Sequence, residues 1–307
     1  MTTPYDVLMI LGGVLVLLIG LIDMISTTVV TRDGGGFVTR RTIDLSWRAW
    51  RWVSNLTGLH VSLASAPILV LVFAQWLVAL LLGWTLIVHA LTPPAPLFDQ
   101  ILSVMSLTIG RGKPPCDLPA WIAVGVGMAG VVLVSLTISY VIAVVSAVAY
   151  TRHVAGYLLA MGITPREIVE RGYEDGEVTE KFPLHFISLA PLIAFVGTKT
   201  LAFPVIDVFQ PAAAGRAISV RVGCVVQAVA LVRNDPDKQP IPRAAEQTFL
   251  DAVDHLLEVY GYVHDDETDD GDDASAMEQR LTNIERWVEQ SGWSWPNDVY
   301  RDETKPA

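Results

Sequence analysis

Glycines alternate with larger residues in the segment Thr108-Ile109-Gly110-Arg111-Gly112, and this spacing could do chemistry. Because glycine adopts backbone angles that other residues avoid, successive carbonyl oxygens of such a segment can turn toward one side. A ring of backbone carbonyls can replace the water shell of an ion. The spacing therefore marks residues 108–112 as a segment whose carbonyl oxygens could face one side, although so short a pattern is weak by itself.

The segments around these residues predict where they lie. Three apolar runs, at 7–30, 64–91 and 118–149, are each long enough to cross a hydrocarbon core, which takes about 20 helical residues. The stretch Phe98–Leu107 predicts one short helix of about 15 Å, which reaches only halfway through a bilayer. A half-spanning segment is tolerated only inside protein or beside a water-filled path.

Composition agrees with a membrane protein. The chain has 307 residues and a mean hydropathy of +0.44, with 52% hydrophobic and 17% charged residues. Its net charge of −11 is concentrated in residues 150–307, which carry fourteen basic and twenty-six acidic residues. An acidic region of this kind disfavours nucleic acid and anionic lipid as partners of that part of the chain.

The positions of the basic residues predict the orientation. Five arginines occur between residues 32 and 51, and three arginines and a lysine follow the third apolar run by residue 181. The positive-inside rule places both regions in the cytoplasm. The N-terminus and residues 92–117 then lie outside, so Cys116 is outside and Cys224 inside. The two cysteines are not expected to pair.

This layout resembles the pore unit of potassium-channel-type P-loop ion channels, over about 64–149. More narrowly, it resembles a bacterial and archaeal ion channel family with an extra N-terminal span and a divergent filter. The resemblance implies a homotetramer in the plasma membrane that passes monovalent cations, chiefly K⁺. It implies a selectivity filter at Thr108, Ile109, Gly110, Arg111 and Gly112, and no cofactor beyond the permeant cation.

Two basic residues depart from the family pattern. Arg111 stands where the family usually has Tyr, and Lys113 where it usually has Asp. Four copies would gather eight positive charges at the outer mouth, each worth roughly 0.6 kcal/mol at about 7 Å in water. Lys113 and Asp117 are the predicted outer-mouth residues, and this charge would deplete cations at the entrance unless Asp117 or Asp99 offsets it. Weak selectivity is therefore expected.

The third apolar run offers candidates for gating. Gly127 and Gly130 are candidate hinges, with close helix packing as the alternative interpretation. Thr137 and Tyr140 are candidate inner-pore residues. In the first run, Asp23 is charged, but its place near the cytoplasmic end favours a side chain that reaches toward water over a functional role.

The sequence predicts an all-α membrane protein, N-out, with three transmembrane helices, a pore helix with its filter loop, and a helical cytoplasmic C-terminal domain. Residues 184–232 are predicted to be core helices of that domain, although they could hold further spans. An acidic linker precedes a last helix that starts at Ser275, and the spacing of its apolar residues predicts one packing face, at Met277, Leu281, Ile284 and Val288. The predicted divisions are 1–31 (extra span), 32–63 (basic loop or helix), 64–149 (pore domain), 150–262 (helical domain), 263–274 (acidic linker) and 275–307 (last helix and tail).

Three functions remain open from the sequence. The first is a tetrameric cation channel with the lipid bilayer and its own copies as partners. The second is a non-conducting membrane adaptor that keeps the pore-like fold and binds a partner. The third is an anion-permeable pore that uses its positive mouth. The sequence has no catalytic Ser/His/Asp set, nucleotide-binding glycine pattern or Cys/His metal set, so we do not expect an enzyme.

Overall fold

The structure is a computed structural model that describes residues 4–28, 36–57, 61–92, 96–111, 118–262 and 273–293. These residues form ten α-helices and one short hairpin, and they divide into two units. The protein is an all-α membrane protein with several candidate spans. The helices are α1 (Pro4–Thr28), α2 (Phe37–Thr57), α3 (Ser65–Leu91), α4 (Leu97–Thr108), α5 (Ala120–Met161), α6 (Pro165–Gly172), α7 (Lys181–Ala202), α8 (Ile218–Arg233), α9 (Arg243–Val259) and α10 (Asp273–Gln290).

Four of the described helices are long and apolar enough to cross a membrane: α1, α3, α5 and α7. The first three coincide with the three apolar runs of the sequence. Helix α5 has 42 residues and continues well past the predicted end of its run at 149. Helix α7 adds a fourth candidate, because it has 22 residues and is apolar enough despite Lys199 and an internal Pro191.

The first unit holds 1–57, 63–145 and 202–205. Helices α1 and α3 pack closely along their length, and glycines permit this approach. A Cβ atom at Gly13 would lie 2.6 Å from the Gly83 carbonyl oxygen, and a Cβ at Gly83 would lie 2.9 Å from the Gly13 carbonyl oxygen. Small residues commonly allow such approaches between membrane helices, because backbone atoms can then touch.

The second unit holds 58–62, 146–201 and 206–307, and α8 is its central helix. Twelve of the sixteen residues of α8 are buried, so this run is a core helix, as predicted. The apolar face predicted for the last helix also packs on this core, through Met277, Ile284 and Val288. The last helix begins at Asp273, two residues before the predicted start at Ser275.

A two-residue hairpin interrupts the helices of the second unit. Strand β1 (Tyr173–Glu174) pairs antiparallel with β2 (Glu177–Val178). The turn residues Asp175 and Gly176 have φ angles of 49° and 84°. An Asp-Gly pair suits a two-residue turn with two positive φ angles, so local sequence explains this turn.

Candidate functional site

Helix α4 is held between α3 and α5 by one apolar face. Val104 and Leu107 of α4 belong to a buried cluster with Val88 of α3 and with Ile122 and Val126 of α5. The opposite face is exposed and also apolar, with its large residues at Leu97, Phe98, Leu102 and Met105. The protomer therefore covers only one side of this short helix.

A hydrogen bond joins the start of α4 to the end of α3. The Gln100 side chain is 4% exposed, and its Oε1 atom lies 2.5 Å from Nδ1 of His89. Because an amide oxygen only accepts, His89 is the donor in this arrangement. The bond fixes where the short helix enters the unit.

The backbone at Thr108–Arg111 forms a capped helix end at the place where the sequence predicted the filter loop. Thr108 is the last helical residue, and Gly110 has a φ of 75°. The Gly110 N–H donates to the Leu107 carbonyl at 2.9 Å, and the Arg111 N–H donates to the Ser106 carbonyl at 2.9 Å. This pair of bonds is the Schellman motif, in which a glycine adopts a left-handed conformation and the last carbonyls are satisfied.

Gly130 of α5 makes the closest approach to this helix end. A Cβ atom at Gly130 would lie 2.3 Å from the Thr108 carbonyl oxygen, a distance that no side chain tolerates. A Cβ at Gly127 would lie 3.7 Å from the Leu107 carbonyl oxygen, which is ordinary contact. Of the two candidate hinges, Gly130 therefore has a packing role, and its role in gating stays a prediction.

The position of Gly130 also shows how far along α5 the short helix ends. Gly130 lies about 15 Å along α5 from its first residue, Ala120, at 1.5 Å per residue. This distance is about half the thickness of a hydrocarbon core, which is about 30 Å. At the end of α4, Ile109 is 62% exposed, and Gly110 and Arg111 are exposed too. An exposed turn with an arginine is costly in contact with lipid.

Four residues that carried predictions lie outside the described part of the chain. These are Gly112 of the filter, the outer-mouth residues Lys113 and Asp117, and Cys116. The structure brings Thr108, Ile109, Gly110 and Arg111 together at the end of α4, and it places Thr108 against Gly130.

Tyr140 is not positioned to line a pore in the protomer, and this prediction is corrected by its packing. Its side chain is 1% exposed. Its ring packs within 5.8–6.3 Å of the rings of Phe73, Trp76 and Phe203. Aromatic rings favour such edge contacts in a core. Thr137 is half-buried, whereas Ser135 and Ser139 of the same helix are exposed.

Sequence reasoning missed the most elaborate polar site of the first unit, which centres on Asp23. This side chain is 5% exposed, so the interpretation that it reaches toward water is wrong. Its Oδ1 atom accepts from the backbone N–H groups of Val38 and Thr39, at 2.8 and 3.1 Å. Its Oδ2 atom accepts from the hydroxyl of Thr39, the amide of Gln75 and the indole of Trp76, at 2.6, 3.2 and 3.2 Å.

Asp23 thereby caps α2 from another helix. Val38 and Thr39 hold the second and third positions of α2, whose N–H groups lack partners within the helix. Gly36, just before the helix, has no side chain to cap them, and a Cβ there would lie 2.2 Å from Oδ1 of Asp23. The hydroxyl of Thr27 also accepts from the Gly36 N–H at 2.9 Å. In the sequence, the signal for this cap was a lone acidic residue in an apolar run, Asp23, followed further along the chain by Gly36 and Thr39.

The second unit contains a fully buried arginine and a half-buried aspartate with a raised pKa. Arg221 is fully buried, and its Nη1 donates to the Ile163 carbonyl at 2.9 Å, while its Nε and Nη2 have no partner within the described residues. Asp207 accepts a 2.9 Å hydrogen bond from the hydroxyl of Tyr260. Burial raises the pKa of Asp207 to about 7, and the bond from Tyr260 lowers it in part. This carboxyl group therefore titrates near neutral pH.

Comparison with known proteins gives one distant relative. The "Uncharacterized membrane protein YdjJ" of Bacillus subtilis (strain 168) is 23% identical to this chain over 265 residues, which cover 80% of this chain and 77% of the relative. No known protein family matches the chain. No solved structure matches it either. The relative's name and the candidate spans agree on a multi-pass membrane protein.

Proposed function

We propose that four copies of this chain form a channel for monovalent cations, chiefly K⁺, whose narrowest part is residues 108–112. One observation carries the proposal: α4 ends about 15 Å along the candidate span α5 and leads into an exposed turn at Ile109–Arg111. If α5 enters the membrane at its first residue, the turn lies near the middle of the bilayer. Non-helical backbone at this depth is tolerated only inside protein or beside a water-filled path. A single copy leaves the turn uncovered. Further copies would cover it with protein, and a central water path would hydrate its exposed polar groups.

The open face of α5 supports assembly. Exposed side chains follow a repeat of three and four residues along this helix, at Trp121, Val124, Met128, Val131, Ser135, Ile138, Ile142 and Val145. A repeat of this kind forms a seam that can pack against another helix. Ser135 and Ser139 add hydroxyl groups to the same face. Helices of several copies could therefore meet along it.

We further infer that three of the four candidate spans cross the plasma membrane, with the N-terminus outside and the C-terminus in the cytoplasm. Helix α7 is assigned to the cytoplasmic domain because Phe186, Leu189 and Ile193 bury one of its faces in the core of the second unit. The ring of Phe186 lies 5.2 Å from that of Phe249 in α9. The arginines of α2 favour the cytoplasmic side of the membrane for this helix.

The channel proposal requires a change of backbone conformation on assembly. In the protomer the Thr108 carbonyl approaches Gly130, and the carbonyls of Ser106 and Leu107 accept bonds from the helix cap. A ring of inward carbonyls needs an extended segment at 109–112. Four copies brought around one axis would exchange the cap bonds for contacts with ions and with neighbouring chains.

A second function, a non-conducting membrane adaptor, is favoured by the same helix cap. Its backbone groups are satisfied within one chain, so nothing in the protomer obliges the segment to extend. The exposed apolar face of α4 would then bind a partner helix rather than other copies. The two functions differ in whether any ion crosses the membrane.

Ion flux through the purified protein in liposomes tests the proposal. We expect K⁺ flux in the parent protein, and larger flux in Lys113→Asp and in Arg111→Tyr, because each removes positive charge from the mouth. The Lys113→Asp effect should shrink at high salt, since screening already weakens the charge. The matched control is Lys181→Asp, which makes the same charge change at an exposed site of the second unit.

Each other outcome contradicts the cation channel in its own way. Unchanged K⁺ flux in both variants with loss of chloride flux would indicate an anion-permeable pore. Absence of flux for every ion in the parent and the variants would indicate the adaptor. A mass corresponding to a monomer or dimer in detergent would contradict the tetramer.

A further inference from the structure

We propose that α2 is a binding surface for anionic lipids, in which its arginines hold the headgroups and its exposed apolar residues insert among the acyl chains. This inference concerns a helix that takes no part in the proposed ion path. It rests on how the residue types are divided around the helix, on what covers each part, and on where its two ends are attached.

The side chains of α2 fall into three sectors at about 100° per residue. The first is the protein-facing sector, in which Thr39 and Ile43 are buried and Trp50 is half-buried. The second is the apolar sector, where Val38, Leu45, Trp52 and Leu56 are 37%, 58%, 67% and 66% exposed. The third is the basic sector, which contains the exposed residues Arg40, Arg41, Arg48 and Arg51.

The apolar and basic sectors are adjacent, and this order matches a bilayer surface. A helix that lies in the interface buries leucine and tryptophan beside the acyl chains and turns arginine to the headgroups. A water-soluble helix would have no reason to expose a leucine, a tryptophan and another leucine along one line. Because the protein-facing sector packs against the rest of the protein, only the other two sectors are available to contact lipid.

The arginines of the basic sector are not neutralised by ion pairs. Among the described residues, none of the four forms an ion pair with a carboxylate. Asp44, the one acidic residue of α2, lies in the same sector, and the helix keeps a net charge of +3. Basic residues beside a membrane attract anionic lipids by about 1 kcal/mol each, which is about fivefold in affinity per residue.

The attachments of α2 keep it at the membrane surface. Its first turn is bonded to Asp23 of α1 and to Trp76 of α3 through Thr39, and Thr42 is hydrogen-bonded to Gln75. Both α1 and α3 are long enough to cross a membrane, with 25 and 27 residues. A helix tied to two spans cannot leave the bilayer, which favours lipid over a soluble acidic partner.

A crevice beside the apolar sector gives room for part of an acyl chain. It has a volume of about 120 Å³ and lies between α1, α2 and α3. Val38 of the apolar sector forms one wall, and Val16, Ile19 and Ala79 form others. The walls are mainly apolar, so a hydrocarbon chain whose headgroup meets the arginines could enter it.

Native mass spectrometry of the full-length protein in detergent tests the proposal, with phosphatidylglycerol and phosphatidylcholine of matched acyl chains as probes. The parent should bind phosphatidylglycerol more tightly. The variant Arg40→Gln/Arg41→Gln/Arg48→Gln/Arg51→Gln should lose this preference, by about fivefold for each arginine removed. The control Arg166→Gln/Arg216→Gln/Arg243→Gln/Arg286→Gln removes the same charge from exposed sites of the second unit and should keep the preference.

Two further arms separate the contributions. Leu45→Ser/Leu56→Ser should weaken binding of both lipids, because insertion does not depend on headgroup charge. In the parent, the preference for phosphatidylglycerol should fall as salt is raised, and this arm holds even if the arginine variant fails to fold. A parent with no preference, a preference that salt does not change, or equal losses in the two arginine variants would overturn the proposal.

Discussion

Asp23 illustrates, at the scale of the residue, how a charged group is kept in an apolar helix. A buried charge is costly unless hydrogen bonds replace its hydration. Here five donors from α2 and α3 surround the carboxylate. Two of them are N–H groups that the start of α2 must satisfy elsewhere. The same hydrogen bonds therefore replace the lost hydration of the buried carboxylate and satisfy the unpaired N–H groups at the start of α2.

We predict that Asp23→Ala lowers the free energy of unfolding by about 3 kcal/mol, because it leaves several buried donors without an acceptor. Denaturant titration of the protein in detergent micelles measures this. The control is Asp44→Ala, an exposed site on α2 that should change stability by less than about 0.5 kcal/mol. Equal effects of the two substitutions would show that the network around Asp23 contributes nothing to the fold.

The contact between α4 and α5 determines, at the scale of the element, where the short helix stops. Gly130 lets the Thr108 carbonyl approach the backbone of α5, and Gly110 supplies the positive φ that ends α4. The two glycines serve different physical needs, since one removes a side chain from a contact and the other permits a left-handed turn. Together they place the exposed turn about 15 Å along α5 from its first residue.

Gly130→Ala is expected to destabilise the protein by about 1–3 kcal/mol, because the added methyl group overlaps the Thr108 carbonyl. Gly127→Ala is the matched control in the same helix, and its methyl group meets only ordinary contact. It should be neutral or stabilising by up to about 1 kcal/mol, since alanine favours the helix. Thermal unfolding followed by tryptophan fluorescence compares them, and equal midpoints would contradict the close approach.

The orientation of the chain in the bilayer is a question at the scale of the whole molecule, and the structure changes how it must be tested. Cys224 is 2% exposed in the core of the second unit, so a thiol reagent would miss it on either side of the membrane. A reporter for the second unit has to be exposed. Ala244, on the surface of α9, offers such a site.

We predict that a membrane-impermeant maleimide labels Cys116 in intact cells and does not label Ala244→Cys in a Cys224→Ala background. Permeabilised cells should show labelling of both cysteines, which controls for access. The physical reason is the excess of arginine in α2 and after the third span, which favours the cytoplasmic side. Labelling of Ala244→Cys in intact cells would reverse the orientation.

Local properties of the sequence determined the helical elements of this protein. Apolar runs of sufficient length gave α1, α3 and α5, the three prolines at 93, 94 and 96 preceded the short helix α4, and the spacing of apolar residues predicted the buried face of α10. Hydropathy and periodicity indicate which parts of a segment are in apolar surroundings. They can therefore be interpreted without knowing which other segments it contacts. The alternating glycines at 108–112 likewise marked the segment of interest.

Contacts between distant residues were decided only by the tertiary structure. The cap of α2 by Asp23 joins positions fifteen and sixteen residues apart, and its bond to Trp76 joins positions 53 apart. The burial of Tyr140 among three rings likewise depends on how α5 packs against Phe73 and Trp76 of α3 and against Phe203. Periodicity in the sequence shows which face of a helix is buried. It does not show which residues of other helices contact that face, because this depends on how the helices pack together.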